Sequence, residues 1–252
     1  MYLTIQALVL RVTEYNERDA LLTLLTKENG KLTVKARGLR RKNSPLAAPC
    51  QLLAYSEFTI FEYRDMYSIN EAHSLELFQP LRSDLTKLAL GSYFIQVADV
   101  LALEDYPNPQ LLTLVLNCLY ALAKLPIPIN QIKAAFELRC ACIAGYSPDL
   151  FTCHICGIPQ PVMFDLSGGI LLCNGCLSFA GGIRMPVNRG VLDAMRYIAS
   201  CEPQKLLSFT IGEENLEQLS SITEAYLTTQ LERGFSTLDF YKSLLVLGEN
   251  HV

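Results

Sequence analysis

The chain has 252 residues, half of them hydrophobic and only 18% charged, which excludes a disordered polypeptide and leaves enough apolar mass for a substantial core. A net charge of −4 gives no general attraction for nucleic acid. The charge is uneven, however: residues 1–80 hold ten Lys and Arg against nine Asp and Glu, and residues 81–252 hold eleven against sixteen. Residues 2–12 form a β-rich run with partial alternation, suited to a first strand. Asn16-Glu17-Arg18-Asp19 is a polar turn, and Ala20 to Thr26 is a second apolar run. Asn29-Gly30 is a strong hairpin signal. From Lys31 to Arg37 the alternation is strict, with Leu32, Val34 and Ala36 on one face and Lys31, Thr33, Lys35 and Arg37 on the other. Gln51 to Glu62 and Tyr67 to Phe78 supply two more strands. Five short strands in about 80 residues predict a small curved antiparallel barrel of the OB type.

At Leu81 the period changes from two to 3.6. Ser83 or Asp84 caps a helix through Leu101. Leu111 to Leu125 and Gln131 to Ala144 read as two more helices, divided by Pro126-Ile127-Pro128, with Gly145 as the stop. Further helices cover Arg189 to Ala199, the stretch from Leu216 to Leu231, and Thr237 to Leu247. The predicted class is α+β: an OB-fold β-barrel over 1–80, then an all-α domain over 81–252 with a four-cysteine zinc loop inserted at 150–180. Neither long uncharged run reads as a membrane span. Tyr106 to Ala123 opens with prolines and its apolar part is too short, and Leu166 to Ile183 is broken by glycines.

Nine cysteines and no secretory leader at Met1-Tyr2-Leu3 predict a reducing, cytoplasmic compartment. Cys153-x2-Cys156 and Cys173-x2-Cys176 have the spacing of two knuckles on one tetrahedral zinc, whose borderline-soft charge favours thiolates. A redox pair needs only one CxxC beside a βαβ pattern, which is absent. A catalytic zinc keeps a position open for water, whereas four cysteines fill all four, and no His-x-Glu of the deaminase type precedes them. His154 reads as an exposed knuckle residue. The zinc is expected to be single and structural.

Lys27, Lys31, Lys35, Arg37, Arg40, Arg41 and Lys42 set seven positive charges against the single Glu28. Several cations on one strand face, continued in a Gly/Asn/Ser/Pro-punctuated loop, suit a phosphate backbone. Tyr15, Tyr55, Tyr63 and Tyr67 are nearby stacking candidates. The same charges also suit a solvated edge that deters sheet pairing, but their density in an acidic protein favours nucleic acid. A zinc-ribbon transcription regulator is the alternative. It is disfavoured because residues 153–176 contain no Lys or Arg, and only Asp165 is formally charged. No Gly-rich phosphate loop, carboxylate pair or His-centred triad points to an enzyme among only three histidines.

Ala7-Leu-Val-Leu-Arg-Val, Arg18-Asp-Ala-Leu-Leu-Thr-Leu-Leu-Thr, Gly30-Lys-Leu and Ala36-Arg-Gly-Leu-Arg-Arg-Lys-Asn-Ser resemble the opening of the bacterial RecO recombination-mediator family. The resemblance continues through the helical middle, the four-cysteine site and the helix pair around Leu231-Glu-Arg-Gly-Phe-Ser-Thr-Leu-Asp-Phe. It implies DNA repair and recombination by a non-enzymatic protein that is cytoplasmic and nucleoid-associated. The implied activities are binding of single- and double-stranded DNA, annealing of complementary strands, and recombinase loading with RecR and single-stranded DNA-binding protein. The acidic, apolar-ended C-terminal tail of the latter is implied to dock in a hydrophobic groove with a basic rim. Helices within 83–144 are the candidate groove, with Arg82, Lys87, Lys124, Lys133 and Arg139 as candidate rim charges. Some members of the family lack the cysteines, so the zinc is not expected to do the shared work. Relatives often carry a Lys just before the last helix; this chain has Ser236-Thr237, which argues against a DNA contact there.

Overall fold

The computed structural model describes residues 2–63, 66–179 and 181–249. Met1, Arg64 and Asp65 of the expected barrel, Ala180 of the expected loop, and residues 250–252 of the expected helical body lie outside the described residues. Strands β1 (Tyr2–Glu14), β2 (Ala20–Thr26), β3 (Lys31–Ala36), β4 (Tyr55–Tyr63) and β5 (Met66–Glu76) close a barrel in the order β1-β2-β3-β5-β4. Helices follow as α1 (Gln79–Arg82), α2 (Leu85–Leu101), α3 (Pro109–Lys124), α4 (Ile129–Ile143), α5 (Arg189–Ser200), α6 (Glu213–Gln230) and α7 (Ser236–Glu249). Short strands β6 (Met163–Asp165), β7 (Ile170–Leu172) and β8 (Arg184–Pro186) lie between α4 and α5. The expected α+β class with an OB-type barrel is what the chain adopts. No helix of the described residues is long and apolar enough to cross a membrane.

Closure of the barrel follows from strand length and patterning. β1 is long enough to pair with β4 through Tyr2–Leu8 and with β2 through Ala7–Glu14. A register shift between Val9 and Arg11 bends it between the two partners, as an extra residue does in a bulged strand. The ring is completed by a parallel contact of β3 with β5, Val34 opposite Tyr67 and Lys35 opposite Ser68. Leu32, Val34 and Ala36 point into the core with Val9, Leu22, Leu24, Phe58 and Ile60, as the alternation requires. The strand expected from Gln51 begins only at Tyr55. Residues 50–54 lack alternation and form a turn, with Leu53 at φ 69°. Its N–H donates to Val9 O and the Val9 N–H donates to Ala54 O, so the segment is held against the bulge.

The chain divides into two compact units, residues 1–125 with 235–252, and residues 126–234. In the first, Asp84 and Asn108 accept the N–H groups of Lys87 and Leu111 and so cap α2 and α3. α7 packs on α2, where Phe235 meets Tyr93 edge-on at 5.5 Å between ring centroids. Ser236 and Thr237 are engaged within the unit: both bond the Gln96 side chain on α2. In the second unit, α4 ends at Gly145, φ 94°, whose N–H donates to Cys142 O while the Tyr146 N–H donates to Ala141 O. α4 packs on α6 around a buried ionic cluster. Lys133 Nζ lies 2.9 Å from Glu137 and 2.8 Å from Glu224, and Thr223 donates to Glu137 at 2.9 Å. Burial raises the Glu137 pKa; burial opposes the Lys133 charge, but the two carboxylates outweigh it and raise its pKa.

Four of the five candidate rim charges are thus engaged elsewhere. Lys133 is only 3% exposed, and Arg139 donates to Ala199 O and Cys201 O. Lys124 pairs with Glu76, and Arg82 donates to Leu52 O. Those side chains satisfy internal acceptors that the helical period alone does not reveal.

The β2–β3 turn is fixed by a close backbone approach. Gly30 has φ 65°, and a Cβ there would lie 2.4 Å from Tyr106 O and 2.7 Å from Leu103 O. Lys31 N donates to Leu103 O at 2.9 Å, and its Nζ pairs with Asp99 at 3.3 Å. Gly30→Ala adds left-handed strain to this clash and is expected to cost about 2–4 kcal/mol. A urea midpoint within error of the parent protein would refute that account.

Candidate nucleic-acid interface and metal centre

The seven candidate basic residues differ in their partners. Lys31 is committed to Asp99, and Lys35 Nζ lies 3.2 Å from Asp19, over the Tyr15 ring at 4.5 Å. Arg40 pairs with Glu14 at 2.9 Å and donates to Asn16 O at 2.8 Å. Lys27 sits on the β2–β3 turn, 3.9 Å from Glu28, an exposed pairing worth little in water. Arg37, Arg41 and Lys42 are exposed and carry no ion pair among the described residues.

Asp19 organises this region. Its Oδ1 accepts the Gly38 N–H at 2.9 Å, its Oδ2 takes Lys35, and the Asn16 amide donates to it at 3.1 Å. The Gly38 N–H, then the Asn16 amide and Lys35, bring its pKa down to about 2. The Arg40 N–H also donates to Arg18 O, so the 37–40 turn is tied to the β1–β2 turn at several points. Gly38 has φ 70°, and the Arg41 side chain lies back over it, with Cδ 3.3 Å from where a Cβ would stand.

Arg37, Arg41 and Lys42 line a cleft of about 840 Å³ together with Tyr2, Phe61, Tyr63 and Met66. None of its described lining residues is acidic. Tyr2 and Phe61 pair across β1 and β4, with ring centroids 5.1 Å apart. Of the four stacking candidates, Tyr63 lines this cleft. Tyr15 and Tyr67 line a smaller one of about 280 Å³ with Lys35, and Tyr55 donates to Gln6. Tyr2 and Phe61 escape sequence reasoning because only the β1–β4 register brings them together, far from the basic run in the chain.

The four cysteines converge. Their Sγ atoms lie within 4.8 Å of one another, with Cys156 and Cys173 at 3.6 Å. In the first knuckle Gly157, φ 74°, returns its N–H to Cys153 O, and the Cys153 N–H donates to Ile158 O. The second starts directly after β7 and folds as a 3-10 turn, in which the Cys176 N–H donates to Cys173 O. β7, β6 and β8 form a three-stranded sheet, and Cys153 bridges to Leu171 on β7. Cys153, Cys173 and Cys176 are buried with Leu172, whereas Cys156 and His154 are exposed. Burial opposes ionisation of Cys153, but N–H groups of Cys156, Cys173 and Ile155 bring it down to about 6. Burial and the neighbouring thiols push Cys176 up to about 12. As thiolates, the four neighbours would need a cation among them. Metal–sulfur bonds of about 2.3 Å put tetrahedral sulfurs about 3.8 Å apart, which this donor set accommodates.

Asp19 carries a pH prediction. A depressed folded pKa contributes stability that is complete above the ordinary carboxylate value and lost as pH falls toward about 2. Asp19→Asn should lower stability at neutral pH and flatten the acid loss in that window. Parallel stability–pH curves for parent and variant would contradict this assignment.

Comparison with known proteins agrees with these elements. Residues 1–78 match the family described as Recombination protein O N terminal, and residues 82–239 match Recombination protein O C terminal. The chain is 33% identical to the DNA repair protein RecO of Acetivibrio thermocellus over 96% of its own length and 97% of that protein. It is 28% identical to the DNA repair protein RecO of Alkaliphilus metalliredigens, over 97% of this chain and all of that one. The DNA repair protein RecO of Heliobacterium modesticaldum is 30% identical over 90% of this chain and 84% of its own length. Matched by both family models and by a relative of 33% identity over nearly its whole length, the chain belongs to the RecO family of DNA repair proteins.

Proposed function

We propose that this protein is a DNA-binding recombination mediator without an active site of its own. It binds single- and double-stranded DNA, anneals complementary strands, and helps load recombinase with RecR onto strands coated by single-stranded DNA-binding protein. The observation that carries the reading is the trio Arg37, Arg41 and Lys42 on an OB-type barrel, facing a cleft with no described acidic residue. In this reading residues 1–80 supply the DNA surface, with Lys31, Lys35 and Arg40 shaping it and Lys27 at its margin. Residues 81–252 supply partner docking, including the tail of single-stranded DNA-binding protein, and the cation-free loop makes a zinc-ribbon regulator the weaker reading. The work is done in the cytoplasm, at the nucleoid. Phosphates carry no sequence, so binding is sequence-tolerant.

Three phosphate contacts on a single strand predict a log–log salt slope of about −2. Arg37→Glu/Arg41→Glu/Lys42→Glu should bring that slope toward zero and abolish annealing of coated strands in the presence of RecR, leaving the unfolding midpoint at the parental value. Arg40→Glu is a poorer choice, since it would face Glu14 and disturb the turn. A triple variant with the parental slope would move the DNA surface elsewhere on the chain.

The cysteine cluster holds one structural zinc in this reading, through Cys153, Cys156, Cys173 and Cys176. Structural metal binding feeds directly into folding. Cys153→Ser or Cys176→Ser should lower thermal stability and solubility while leaving the salt slope of DNA binding intact. Elemental analysis of the purified protein showing no zinc, with four free thiols, would remove this assignment.

A further inference from the structure

We propose that the cleft beside Arg37, Arg41 and Lys42 is a base-stacking site that reads whether a strand is unpaired; this rests on the DNA-binding reading above and names the substrate form of the same site. Tyr2 is 63% exposed, Phe61 37%, Tyr63 59% and Met66 55%, a concentration of apolar side chains that soluble surfaces usually cover. Tyr2 on β1 and Phe61 on β4 present their rings together, 5.1 Å apart and inclined at 50°. Such a patch alone would suit a protein partner. The cations of the same cleft decide between the two: Arg37, Arg41 and Lys42 line it without a described acidic residue, and their turn is fixed by Asp19 through the Gly38 N–H.

Single-stranded DNA has the complementary chemistry, with a phosphate and a flat apolar base in each nucleotide. Its phosphates meet Arg37, Arg41 and Lys42 while a base lies on the Tyr2–Phe61 platform. Base–aromatic stacking is sequence-tolerant, so it adds affinity without adding sequence preference. A duplex offers the cations the same phosphates but keeps its bases stacked inside, out of reach of the rings. The cations therefore serve both forms of DNA, and the rings serve one. The cleft volume of about 840 Å³ is within the usual range for ligand sites.

The test uses the full chain, an oligothymidylate and a duplex of mixed sequence. Tyr2→Ala/Phe61→Ala should weaken oligothymidylate binding about tenfold, within the range of one lost stacking contact, and change duplex binding less than about twofold. Arg41→Glu/Lys42→Glu should weaken both. The chain contains no tryptophan, so Phe61→Trp places a single reporter in the cleft. Its emission should be quenched by saturating oligothymidylate and unaffected by duplex, which also decides the matter if the double alanine variant is unstable. Unchanged single-strand affinity in the alanine variant assigns the rings to a protein partner and overturns the inference. An equal loss for both DNA forms, or indole emission that oligothymidylate leaves unquenched in the Phe61→Trp variant, overturns it too. Failure of the DNA-binding reading looks different: the parent protein binds neither DNA, or charge reversal changes neither affinity.

Discussion

The polar end of the barrel depends on one carboxylate. Asp19 accepts from the backbone of Gly38, holds Lys35 and is itself held by Asn16. These contacts settle where the basic turn starts and which cations remain for solvent. A lysine on an outward strand face is ordinarily available to a ligand, yet Lys31 and Lys35 each have a carboxylate within hydrogen-bonding reach. These partly buried pairs hold the two lysines in place, so they shape the surface around the turn. The charge left for a ligand is the trio beyond the tie.

The second unit stabilises two polar regions by different means. Between α4 and α6, Lys133 neutralises part of the Glu137 and Glu224 charge with side chains alone, and Thr223 adds a hydrogen bond. In the cysteine segment the strands are only three residues long, too short to make a stable sheet by backbone pairing. Four converging thiols supply the missing cross-link once a cation is bound.

Much of the fold was legible because two periodicities alternate cleanly along the chain. Lys31 to Ala36 reads as a strand with a known inner face, and Asp84 reads as a helix cap, because both depend on neighbours in sequence. The four cysteines were legible for the same reason: their spacing is local and metal geometry is strict. Residues 50–54 misled, because a short apolar run is compatible with either a strand or a buried turn, and only the β1 bulge decides. The fate of the basic residues was hidden for a related reason. Asp99 lies 68 positions from Lys31, and Tyr2 is brought to Phe61 only by strand register. Small strands β6 to β8 were also missed, since three-residue elements carry no measurable alternation.

The first unit is discontinuous in the chain, and that has a consequence for biosynthesis. Its last piece, residues 235 onward, lies beyond the whole of the second unit. Tyr93, fully buried here, receives its edge contact from Phe235, and Gln96 finds its partners in Ser236 and Thr237. During translation from the N-terminus, the apolar face of α2 must therefore wait through the synthesis of more than a hundred residues before its cover emerges. Residues 126–234 are complete by then and can fold first. The nascent barrel-bearing unit spends that interval with an open flank, the state in which a trigger for aggregation, or a need for chaperone protection, would be concentrated.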